Sequence, residues 1–211
     1  MNEFNIPTEF LTDAELEVLG KHLDKYKELH EREQYQTSFL EFVKYVWPSF
    51  ITGNHHKIFA EKLERVARGK LKRLIVNMPP RHTKSEFASY LFPAWVMGQS
   101  PSTKIIQATH TAELAVGFGR KVKNLLDSDI YRDVFPDMEL ARDAKASGRW
   151  STNEGGEYYA VGVGGALAGR GANLCIIDDP VSEQDALSPT ALDNIYEWYT
   201  SGPRQRLQPG G

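Results

Sequence analysis

Beyond Gly69 the chain alternates short apolar runs with helix-length amphipathic segments, and this alternation narrows the fold more than any other feature. Leu74-Ile75-Val76, behind Lys70, Lys72 and Arg73, reads as a buried strand, and a helix is expected from Lys84 to a bend or end near Pro93. A second strand, Lys104–Ala108, precedes a helix from Thr111 to about Leu126. Residues 149–163 read as a hairpin turning at Asn153-Glu154-Gly155-Gly156. The glycine-rich stretch from Gly164 to Gly171 leads into the strand Leu174–Ile177, and Ser188-Pro189 opens a last helix through Ile195, Trp198 and Tyr199. Strands interleaved with helices imply an α/β fold with a mostly parallel sheet, whose ligands gather at the carboxyl ends of the strands.

The first part of the chain is helical by its punctuation. Thr12 and Glu15 form a capping box ahead of Leu16, Leu19, Leu23 and Tyr26, a pattern that suits a packing helix or a partner-docking one. Ser38 and Glu41 open a second, strongly apolar helix stopped before Pro48, and Asn54 caps a third with Ile58, Phe59, Leu63 and Val66 facing inward. We therefore expect an N-terminal helical extension over 1–34 and a main domain over 35–211.

Composition removes several classes of function. A mean hydropathy of −0.45 with no long apolar run gives no membrane-spanning helix, and the acidic N-terminus is no secretory signal. The lone Cys175 allows no internal disulfide and fits a reducing compartment. At a net charge of −3, any contact with nucleic acid must use local clusters. Three exist: Lys70, Lys72 and Arg73; Arg120, Lys121 and Lys123; Arg204 and Arg206. Nothing in the sequence chooses between them. The six histidines have no spacing suited to zinc.

Two segments carry chemistry. Pro80-Arg81-His82-Thr83-Lys84-Ser85 joins the first strand to a helix, a setting in which backbone N–H groups and the helix dipole face an anion. Lys84-Ser85 ends the familiar phosphate-loop pattern, but Met78 and Thr83 stand where its glycines would be. In this reading Lys84 reaches the β- and γ-phosphates of ATP and Ser85 holds Mg²⁺. The strand Leu174–Ile177 then ends in Asp178-Asp179. Asp178 suits the Mg²⁺ shell, and Asp179 is placed to polarise a water.

Taken together, NMPPRHTKSE, GRWSTNEGGEYYAVGVGGALAGRG and LCIIDDP closely resemble the ATPase domain of tailed-phage large terminase subunits, over about residues 35–211. The resemblance implies a RecA-like P-loop NTPase of the additional-strand, catalytic-glutamate class. It also implies a motor that packages double-stranded DNA into a procapsid at the expense of ATP. Partners implied in the same way are the portal protein, the small terminase subunit and further copies in a homo-oligomeric ring, expected as a pentamer, acting in the host cytoplasm. By the same resemblance Arg81 senses phosphate, Arg170 acts as a finger in a neighbouring subunit's site, and the Asn54-His55-His56 region, His56 above all, reads adenine. The family's usual Asp-Glu is Asp178-Asp179 here, with Glu183 a fallback for the water-orienting role. The family would continue beyond Gly211 into another core strand and a nuclease, so the chain is expected to be a fragment. Competing readings are a helicase-type translocase and an ATP-binding assembly module without efficient turnover.

Overall fold

The computed structural model describes residues 11–144 and 146–211. Helix α1 (Asp13–Thr37) starts at the Thr12–Glu15 capping box and buries none of its residues. Its cross-element bonds come from its last turns: Gln36 donates to the Val134 carbonyl, Trp95 to that of Tyr35, and Arg68 to that of Thr37. The expected boundary at 34/35 lies inside this continuous helix. Ser38 caps α2 (Phe39–Val46), which buries Phe39, Phe42 and Val43.

Helix α3 (Asn54–Ala67) has Gly53, not Asn54, at its N-cap. It buries Phe59 and Leu63 as expected and packs Val66 against the core, but Ile58 points outward and is 60% exposed. Ile58 precedes Phe59 by one residue, about 100° around the helix, so the two cannot share one narrow buried stripe. Gly69 ends the helix with φ +66, a left-handed conformation that costs glycine least.

Residues 74–76 are not a strand of the sheet. Leu74, Val76 and Met78 pack against the core while Ile75, 88% exposed, points out, so the segment alternates as extended chain does. It has no ladder partner among the described residues, which is what a strand needs beyond its own pattern. The helix that follows runs from Lys84 through a π-helical stretch, Glu86–Leu91, into α4 (Phe92–Gln99). Pro93 does not end it, because it lies in the first turn of α4, immediately after the wide turns.

The sheet has four strands in the order β2-β3-β1-β4. Strands β1 (Lys104–Thr109), β3 (Glu157–Gly162) and β4 (Leu174–Ile177) are parallel, and β2 (Arg149–Ser151) pairs antiparallel with β3 as the expected hairpin. The sheet is open. On its outer side β4 has no strand partner among the described residues, and a parallel bridge joins Ala172, just ahead of it, to Leu207. Thr111 caps α5 (Ala112–Leu126), and a short helix absent from the sequence reading, α6 (Asp129–Val134), follows it. Ser188 caps α7 (Pro189–Ser201).

Two apolar layers result. On one face Ile105, Leu174 and Ile176 meet α2 to α6 in the main core, built around Phe39, Phe87 and Trp95. On the other, Ile106 and Ala108 pack with Leu167 of the glycine-rich loop and Trp198 of α7. Cys175 lies on this second side, and burial pushes its thiol up to about 12, which keeps it protonated. The protein is thus α/β, with a mostly parallel open sheet flanked by helices. Among the described residues, no helix is long and apolar enough to cross a membrane.

Candidate functional site

The loop before Lys84 and the end of β4 meet through charge. The Lys84 ammonium bonds the Asp179 carboxylate and lies 3.5 Å from Asp178 Oδ1. Burial opposes the charge on Lys84, but the bond to Asp179 and the fields of both carboxylates prevail and hold its proton more firmly than usual. Lys84 is therefore a cation across the physiological range. Residues 95 positions apart in sequence are brought together.

The backbone marks the same place independently. Among the described residues three non-glycine residues have positive φ: Arg81 at 62°, Thr83 at 61° and Asp179 at 43°. All three belong to the loop or to the acidic strand end. A left-handed threonine is costly because its branched Cβ crowds the carbonyl, so surrounding bonds must hold it. His56 supplies one of them. Its Nδ1 accepts from the Gly53 N–H, which puts the ring proton on Nε2 facing Thr83 Oγ1 at 2.7 Å. Thr83 Oγ1 in turn donates to the His82 carbonyl at 2.6 Å. Burial, and then the fields of His55 and His82, lower the proton affinity of His56 and keep it neutral.

His56 thus spends both ring nitrogens on the chain itself. It braces the loop here, and the adenine role expected for it has no free ring nitrogen in this arrangement. His55, exposed, lies against His56 at 3.8 Å between ring centroids and faces His82 at 5.8 Å. This imidazole cluster borders the loop; the sequence places His82 in the phosphate loop and His55 with the favoured His56 in the adenine-reading region. Phe87 N–H donates to the Thr83 carbonyl, so the first helical turn starts at Thr83. The N–H groups ahead of that turn lie where an anion is attracted. Pro80 and Arg81 are exposed in the loop, and the Pro80 carbonyl accepts from His82 Nδ1 at 2.9 Å. Ser85, at the start of the wide-turned stretch, makes no capping bond.

Asp178 is 6% exposed and its N–H continues the β1 ladder to the Ala108 carbonyl. Ser89 donates to its Oδ2 at 2.8 Å, and Gln107 donates to Ser89 Oγ at 3.1 Å. Neither Ser89 nor Gln107 was singled out in the sequence. A glutamine between the apolar Ile106 and Ala108, in the middle of a strand, was the available signal. Asp179 is exposed, and Glu183, four residues on, lies in the loop ahead of α7.

Arg170 is elsewhere. Its guanidinium lies 3.6 Å from Glu157 and 4.7 Å from the centre of the Tyr159 ring. Glu157 is in register with Lys104 at the start of β1, whereas Asp178 follows the pairing of Ile177 with Ala108 at its end. Five residue steps separate these levels, about 16 Å along the strands. Arg170 is thus held at the opposite end of the sheet from its own chain's Lys84.

The donor set fits Mg²⁺ of the kind that arrives with a phosphate. The Ser85 hydroxyl and the Asp178 carboxylate are hard oxygen ligands, and no group of three or more His, Cys, Asp or Glu among the described residues forms a protein-only metal cage. No family model matches the sequence, and comparison with curated proteins finds no match either.

Proposed function

We propose that the chain is an ATP-hydrolysing P-loop domain of RecA-like type, and that its activity is that of a large-terminase motor moving double-stranded DNA. The observation that carries this reading is the meeting of Lys84 with Asp178 and Asp179, between a strained loop opening a helix and the carboxyl end of a parallel strand. Switch of partner is the central event. When a triphosphate enters, Lys84 exchanges its carboxylates for the β- and γ-phosphate oxygens, and loop N–H groups complete the cradle. Asp179, released from Lys84, orients the attacking water. Ser85 and Asp178 would hold Mg²⁺, which would offset the charge developing on the transferred phosphoryl group. Arg81 reaches the phosphates from within the loop, and Arg170 serves a neighbouring copy in a ring.

Equilibrium binding of a fluorescent ATP analogue, followed by phosphate release with and without double-stranded DNA, tests the reading. We expect saturable binding that Lys84→Ala abolishes, and turnover that DNA stimulates when the ring partners are present. Binding indifferent to Lys84 would remove the proposal. Stimulation by single strands alone would move it to a helicase-type translocase, and tight binding without turnover in the assembled ring to an assembly module.

A further inference from the structure

The core face of β1 carries an oddity. Ile105, Gln107 and Thr109 alternate on one side of the strand, facing the apolar layer under the helices, and Gln107 is fully buried there. Its Oε1 has no hydrogen-bond partner among the described residues. An orphaned buried carbonyl carries a desolvation cost that a leucine at this position would avoid. Gln107 Nε2 meets Ser89 Oγ, and Ser89 Oγ meets Asp178 Oδ2.

Directionality follows from the atoms. An amide nitrogen only donates, so Gln107 occupies the acceptor side of the Ser89 hydroxyl, and the single hydroxyl proton is left for Asp178. Ser89 lies on the π-helical stretch directly after Lys84-Ser85, in the wide turns that often mark functional sites. One helix thus carries both a residue that meets Asp178 from the phosphate side and a residue that grips it from the core.

We infer that Gln107 and Ser89 form a positioning pair for Asp178, committing its Oδ2 to the protein so that Oδ1 is presented to a hard divalent cation on the phosphate side. The inference rests on the nucleotide-binding reading. It adds to that reading two residues that touch neither nucleotide nor metal and act only through Asp178.

Titration of a fluorescent ATP analogue in EDTA and at rising Mg²⁺ separates positioning from mere packing. Ser89→Ala should bind the analogue normally without Mg²⁺ yet need about 10–100-fold more Mg²⁺ for half of the metal-dependent gain, the usual cost of losing a partner behind a metal ligand. Gln107→Met, which leaves the hydroxyl free to turn, should show a smaller rise, and Ser89→Thr should restore the wild-type requirement. A wild-type Mg²⁺ requirement in Ser89→Ala overturns the inference, as does an equal loss with and without Mg²⁺. If the unmodified chain binds no nucleotide, the functional reading fails, and a urea-denaturation cycle of Ser89→Ala with Asp178→Asn then decides the pair: non-additive midpoints support it, and additive ones overturn it.

Discussion

Lys84→Ala should act on the free protein as well as on the liganded one. In the free chain the ammonium stands 3.5 Å from the nearly buried Asp178 and bonds Asp179. At an effective dielectric of about 20, a pair at that separation attracts by about 5 kcal/mol. Part of this is spent desolvating Lys84, and Asp179 is open to solvent, so the net loss expected is about 1–3 kcal/mol. For a chain of 211 residues, this lowers the melting temperature by about 2–12 °C. ATP at a hundred times its dissociation constant adds about 2.7 kcal/mol to the wild type, or about 5–11 °C, and the variant should gain none of it. Scanning calorimetry with and without Mg²⁺-ATP reads both effects. A variant that melts with the wild type and keeps the nucleotide shift would show that Lys84 neither balances the two acids nor meets a phosphate.

Asp179→Asn should keep the fold, since asparagine tolerates the left-handed φ of 43°, and should lower turnover more than nucleotide affinity. Normal turnover there beside an inactive Glu183→Gln would transfer the water-orienting role to Glu183. The depressed proton affinity of His56 means that the folded state binds fewer protons than the unfolded one, so stability present above about pH 6.5 falls as the solution is acidified. His56→Gln should flatten the dependence of the melting temperature between pH 7 and pH 5, and an unchanged slope would place the titration elsewhere. Arg170→Ala should bind ATP and hydrolyse it slowly, by about 10³–10⁵-fold for a finger acting in a neighbour's site. Mixing it with Lys84→Ala protein should restore part of the activity, and no rescue in an assembly that exchanges subunits would leave Arg170 with only its Glu157 and Tyr159 contacts.

Elements with a local signature were legible in the sequence. The caps at Thr12, Ser38, Thr111 and Ser188 each begin the helix they announced, and β1, β3 and β4 lie where apolar runs placed them. Sheet membership is a different matter, because it depends on a distant neighbour. Leu74-Ile75-Val76 has the alternation of a strand and, among the described residues, no partner on its ladder. The site was half legible. Lys84 and the two aspartates were found because charge at fixed places along a strand and a helix is written in the residues themselves. The left-handed turns at Arg81 and Thr83 were hidden, since residue type there argues against the conformation adopted, whereas an aspartate at 179 tolerates it. The Ser89–Gln107 contact was hidden because Gln107 stands out inside an apolar run, yet nothing in the sequence names Ser89, 18 positions away, as its partner.

The way α1 is held gives it the mechanics of a lever. Its tertiary bonds are made at Tyr35, Gln36 and Thr37, close to the pivot at Ser38, where the backbone leaves helical geometry before α2 begins. The 25-residue rod is about 38 Å long, so a rotation of only 10° at that pivot carries its far end through about 7 Å. Small shifts in the packing of α2 and α6 against the core are therefore magnified at Asp13, and a load applied there returns to the core with the same mechanical advantage.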